Sequence, residues 1–118
     1  MISQALYVLV NIATGSEFHK QSVMKRPSIL RSVLSLMTHE SVAIRVATIW
    51  VIINLTWPDE KVSHSLHERV TVLRSMGVED RLRSLNSDHD IDVRDRVKTA
   101  LHHFVVDQQQ QGQSGATQ

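Results

Sequence analysis

The sequence predicts an all-α, right-handed helical solenoid of about two and a third repeats, and three observations predict it. Two segments share one signature: Ala5-Leu6-Tyr7-Val8-Leu9-Val10-Asn11-Ile12 and, 43 positions later, Thr48-Ile49-Trp50-Val51-Ile52-Ile53-Asn54-Leu55, each with an aromatic residue four positions before an asparagine. A third, degenerate copy runs from Val97 to Phe104, 49 positions beyond the second, with His103 at the asparagine position. Its approach, Ile91-Asp92-Val93-Arg94, matches Val42-Ala43-Ile44-Arg45 at that same spacing of 49.

Repeat periods in the forties with helical patterning belong to armadillo and HEAT arrays, in which each unit is a pair or trio of helices stacked on its neighbour. The first copy reads as the last helix of one such unit. Pro27 suits a first helical turn, where its missing N–H is not needed, and Ile29, Leu30, Val33, Leu34, Leu36 and Met37 follow at helical spacing. Thr38 to Ser41 breaks that run, and Ser41 can cap a helix from about Val42 to Trp57 that stops at Pro58. Pro58 to Ser65 is a polar loop, which accounts for the longer second period. A helix from Leu66 through Val70, Val72 and Leu73 ends at Gly77, and Val78, Leu82 and Leu85 mark the next. Asp88-His89-Asp90 opens the last helix with acidic side chains where the helix dipole favours them. The armadillo-type fragment is expected over residues 1–106. Residues 107–118, with Gln108 to Gln111 in a row, read as a disordered glutamine-rich tail.

Composition narrows the function classes. Thirteen basic and 12 acidic residues give a net charge of +1, too balanced for a protein that coats phosphate backbones, so no nucleic acid partner is expected. Residues 1–57 carry a charge of +3 and residues 58–118 a charge of −2, a shallow asymmetry that fits a solvated surface. With no cysteine, disulfides, thiol nucleophiles and thiolate metal sites are excluded. Met1-Ile2-Ser3-Gln4 is unlike a signal peptide, and the apolar run from Val42 to Trp57 is too short to span a bilayer, so no membrane partner is expected and the location is read as cytosolic and nuclear.

No catalytic constellation emerges, so the chain is read as a non-enzyme without cofactor or metal. Asp88-His89-Asp90-Ile91-Asp92 alternates carboxylates like the start of a calcium loop, but Val93 stands where the loop needs glycine and Thr99 where it needs glutamate. His64, His67 and Glu68 do not follow the H-E-x-x-H order of zinc proteases, and His102 and His103 point about 100° apart on a helix. The glycines, Gly15, Gly77, Gly112 and Gly115, form neither a phosphate loop nor a nucleophile elbow.

Binding is the remaining role. Residues at i, i+3 and i+7 share one exposed helix face: Ala47, Trp50 and Asn54 in the middle copy, Gln4, Tyr7 and Asn11 in the first, Arg96, Thr99 and His103 in the third. Tyr7, Asn11, Trp50, Asn54, Arg96 and His103 are therefore the candidate partner-binding residues. Val46, Ile49, Ile52, Ile53 and Leu55 are assigned to the core. The first helix has no layer over it, so Leu6, Leu9 and Val10 are expected to be partly uncovered, offering an edge for self-association.

The stretches Ile44 to Trp57, Leu73-Arg74-Ser75-Met76-Gly77-Val78-Glu79-Asp80 and Asp95-Arg96-Val97-Lys98-Thr99-Ala100-Leu101 carry a more specific likeness. Through them the chain, from Gln4 to Phe104, resembles the C-terminal end of the armadillo repeat-containing protein 8 family, scaffold subunits of the CTLH ubiquitin ligase assembly that corresponds to the yeast GID complex. The resemblance implies a non-catalytic scaffold in ubiquitin-dependent degradation whose partners are other ligase subunits, including an exchangeable substrate receptor. A general peptide-binding adaptor of the nuclear-import kind is the alternative. In such adaptors a groove aromatic packs peptide side chains and an asparagine amide bonds the peptide backbone. Trp50 with Asn54 has that spacing, Tyr7 with Asn11 echoes it, and Thr99 with His103 has lost it.

Overall fold

The computed structural model describes residues 2–58 and 64–116, with side chains over 4–58 and 64–112. These residues form α1 (Ile2–Ala13), α2 (Glu17–Met24), α3 (Pro27–Leu36), α4 (Val42–Leu55), α5 (His64–Ser75), α6 (Val78–Ser84), a short 3-10 turn (Leu85–Ser87) and α7 (Ile91–Ala116). No strand occurs among the described residues.

The three copies of the repeat signature lie on α1, α4 and α7, and these helices stack in that order, α1 on α4 and α4 on α7. Each of the last two closes a trio, α2–α3–α4 and α5–α6–α7, in which the preceding helix packs on the stacking helix. The result is elongated, 48 × 31 × 22 Å, as layered packing along one direction requires. Ten of the 14 residues of α4 are buried, so this helix is apolar around its circumference while its neighbours keep a wet face. Ile49, Val51, Ile53 and Leu55 are fully enclosed, each contributing roughly 1.5–3 kcal/mol of burial before ordering entropy is charged.

Local chemistry sets the helix ends. Pro27 occupies the first turn of α3. Ser41 Oγ accepts from the Ile44 amide at 3.4 Å at the start of α4, and Asp90 Oδ1 accepts from the Val93 amide at 3.1 Å at the start of α7. Gly77 separates α5 from α6 with φ 88°, a left-handed conformation in which a side chain is strained.

Buried and half-buried cations bind backbone carbonyls at helix ends, and they recur at the repeat spacing. Lys20 Nζ on α2 donates to the carbonyls of Ala13 and Asn54, both at 2.9 Å. Arg69, 49 positions on, donates from Nε to the Leu55 carbonyl at 2.8 Å and from Nη1 to Glu17 at 2.6 Å. Both place positive charge where the carbonyls at a helix C-terminus leave partial negative charge. Arg45 and Arg94 form a second such pair: Arg45 Nη1 reaches the His39 and Glu40 carbonyls at 2.9 Å, and Arg94 Nη1 reaches the Asp88 carbonyl at 2.8 Å.

Several details differ from the sequence expectation. The α2 helix was not expected: it buries only Val23, and its place is fixed by Lys20 and by the Ser16 amide donating to His19 Nδ1 at 3.3 Å. The α4 helix ends at Leu55, two residues early, where the Thr56 hydroxyl donates back to the Ile52 carbonyl at 2.7 Å. The last helix does not stop near Val106 but continues to Ala116, because Asp107 is buried against His67 at 3.0 Å and glutamine is a good helix former. Residues 59–63 of the expected polar loop, and Gln118 with its neighbour Thr117 in the expected tail, lie outside the described residues. Leu6 is buried rather than uncovered, on a helix that packs against α4, while Leu9 and Val10 are half-buried. Val46, assigned to the core, is only half-buried and lines a groove between α1 and α4.

Candidate partner-binding face

One groove crosses all three stacked helices. It holds about 520 Å³ and is lined by Tyr7 and Val10 from α1, by Val42, Ala43, Val46, Ala47 and Trp50 from α4, and by Asp92 from α7. Tyr7 is 55% exposed and Trp50 half-buried, so two aromatic residues offer apolar surface with a polar edge, the kind of surface that anchors protein contacts. Arg96 of α7 lays its guanidinium over the Trp50 ring, 5.3 Å from the centroid. The pairing follows from the register: Arg96 stands at the position of Ala47, and Thr99, at the aromatic position of the third layer, leaves the ring open to it.

The structure brings Tyr7, Trp50 and Arg96 to one surface, with Asn11 exposed one turn beyond Tyr7. Asn54 and His103 are elsewhere. Asn54 is buried, its amide donating to the Val10 carbonyl at 3.2 Å. His103 is buried too, with Nδ1 3.0 Å from the Thr56 hydroxyl and its ring edge-on to Trp57 at 5.5 Å. Burial, helped by the neighbouring His102, holds its pKa below the ordinary histidine value, against a backbone hydrogen bond at Ile53. In both layers the asparagine position joins one stacked helix to the end of the helix before it. Spacing identified that position, but not which way it faces. Val42 and Asp92, which complete the groove, carried no signal of a surface role in the sequence.

Asp88, His64 and His67 are held in ion pairs, Asp88 with Arg45, His64 with Glu68 at 2.9 Å and His67 with Asp107 at 3.0 Å. Among the described residues no three histidine or acidic side chains are grouped so as to hold a metal ion, and no helix is long and apolar enough to cross a membrane.

Comparison with known proteins adds a lineage to this geometry. The chain is 36% identical over 103 residues to armadillo repeat-containing protein 8 of Mus musculus, which covers 87% of the chain and 15% of that protein. It is homologous to a segment of armadillo repeat-containing protein 8. The protein of the same name from Xenopus laevis is 34% identical over 101 residues, covering 86% of the chain and 14% of its own length. GID complex subunit 5 of Schizosaccharomyces pombe is 38% identical over 65 residues, 53% of the chain and 8% of that subunit. The chain thus spans about a seventh of the length of the armadillo repeat-containing protein 8 relatives it matches. A designed armadillo repeat protein superposes with a TM-score of 0.70 at 20% identity, covering 86% of the chain and 40% of that structure, and the fold is an armadillo solenoid. No family model matches the chain.

Proposed function

We propose that the chain is a non-catalytic armadillo scaffold of a CTLH/GID-type ubiquitin ligase complex, holding another ligase subunit, its substrate receptor, against the Tyr7–Trp50–Arg96 face. The observation that carries this reading is the homology to armadillo repeat-containing protein 8 over 87% of the chain, joined to a groove that crosses every layer. Within that groove Tyr7 and Trp50 supply anchoring surface and Arg96 fixes the Trp50 ring, while Asn11 offers an exposed amide on the same helix as Tyr7. Asn54 and His103 contribute from beneath by setting the spacing of the layers. The proposal carries a cytosolic and nuclear location and partners that are proteins. Arg96 weighs against the nuclear-import type of adaptor, because the Trp50 face that would receive a peptide cation already has one.

Purification of the tagged chain from its native cells, followed by mass spectrometry, tests the reading. Enrichment of ligase subunits is expected. Recovery of cargo bearing basic peptides instead, or of no specific protein, counts against it.

A further inference from the structure

The groove beside Tyr7 and Trp50 changes character where it reaches the third layer. Every residue of α1 and α4 that lines it is uncharged, whereas α7 contributes Asp92. Ala43 and Val46 on the α4 wall have Asp92 and Asp95 as their counterparts 49 positions on, so the helix face that is apolar in the second layer carries two carboxylates in the third. Both aspartates are exposed. Asp92 stands in the first turn of α7, where the helix dipole favours an acid, but Asp95 lies beyond that turn and three residues from a like charge, which repels it. The cations nearest in sequence are committed elsewhere, Arg94 to the Asp88 carbonyl and Arg96 to the Trp50 ring. Lys98 is exposed one turn past Asp95, yet among the described residues neither aspartate carboxylate is in an ion pair or a hydrogen bond.

We propose that the segment of the ligase subunit held in this groove carries a lysine or arginine that meets Asp92 and Asp95, about three residues along from an apolar side chain seated against Val46 and Trp50. Charge complementarity selects this partner. An occupant that fills the groove takes water from Asp92, and a purely apolar or acidic segment would leave that carboxylate without compensation, while a cation restores what is lost. The cation is drawn to α7 and not to the Trp50 ring, whose face Arg96 already covers. The spacing follows from the layers: stacked helices lie about 8–10 Å apart, and an extended chain advances about 3.3 Å per residue. This inference rests on the ligase reading of the groove and adds to it the chemistry of the partner.

Two fluorescein-labelled peptides that differ in one residue, Gly-Ser-Phe-Ser-Gly-Arg-Gly and Gly-Ser-Phe-Ser-Gly-Glu-Gly, test it on the full chain by fluorescence anisotropy. The arginine peptide should bind about tenfold or more tightly than the glutamate peptide, and added salt should narrow the difference. The Asp92→Asn, Asp95→Asn double variant should abolish the preference and the Asp92→Lys, Asp95→Lys variant should reverse it, each with the parent's helical circular dichroism, while Asp80→Lys on exposed α6 surface should leave it unchanged. No binding of the arginine peptide, equal binding of the two, or a preference that survives removal of both carboxylates would overturn the inference. Those results would leave the ligase reading intact if ligase subunits still co-purify with the parent chain and are lost from the Tyr7→Ala, Trp50→Ala variant.

Discussion

Arg45 on α4 and Asp88 before α7 form an ion pair between successive layers, Nη2 donating to Oδ1 at 3.1 Å and Nε lying 3.0 Å from Oδ2 without hydrogen-bond geometry, with side chains only 6% and 7% exposed. The His39 and Glu40 carbonyls hold Nη1 of the same guanidinium, so the cation that meets Asp88 is fixed in place by its own layer. Either partner left alone would be a charge in a poorly solvated place. Arg45→Ala or Asp88→Ala should therefore each destabilise the chain by about 1.5–3 kcal/mol, and the double variant by less than the sum of the two, as read by urea unfolding.

The same pair sets an acid limit. Burial alone would raise the Asp88 pKa, but the Asp90 amide and the Arg45 guanidinium together outweigh it and hold the carboxyl below its ordinary value. An acid held low in the folded state contributes stability that is present above its unfolded pKa and lost as pH falls through the folded value. Melting temperature should drop below pH about 4, and Asp88→Asn should flatten that limb.

His103 acts in a higher window with a related sign. Its pKa is depressed by burial, so the unfolded chain takes up the proton first and stability falls as pH drops below the unfolded value of about 6.5. His103→Gln should keep a bond to Thr56 and lose part of the dependence between neutral and mildly acidic pH. Equal slopes in variant and parent would remove His103 as a cause.

Gly77 supplies a backbone test. With φ 88° and open space around the missing Cβ, Gly77→Ala meets no clash but must adopt a left-handed conformation. The cost should be about 1–2 kcal/mol in thermal unfolding, with no change in partner binding.

The sequence revealed the layers because their positions are set by apolar side chains at helical spacing, which α1, α4 and α7 keep at intervals of 43 and 49. That Trp50 and Tyr7 share one face was legible for the same reason. Elements held by polar contacts were not. The α2 helix depends on Lys20 reaching carbonyls from two other helices, and the extension of α7 depends on Asp107 meeting His67, 40 residues away in sequence. Asn54 and His103 shared a register with exposed residues yet turned inward, because the carbonyl of Val10 and the hydroxyl of Thr56 lie within hydrogen-bond reach. A pattern within one helix does not encode the end of the helix packed beside it.

The most direct measurement compares the amount of ligase subunits captured by the parent chain with that captured by the Tyr7→Ala, Trp50→Ala double variant, at matched helicity. A loss of capture by about tenfold or more is the result predicted for a face that grips another subunit. Capture equal to the parent's would contradict it.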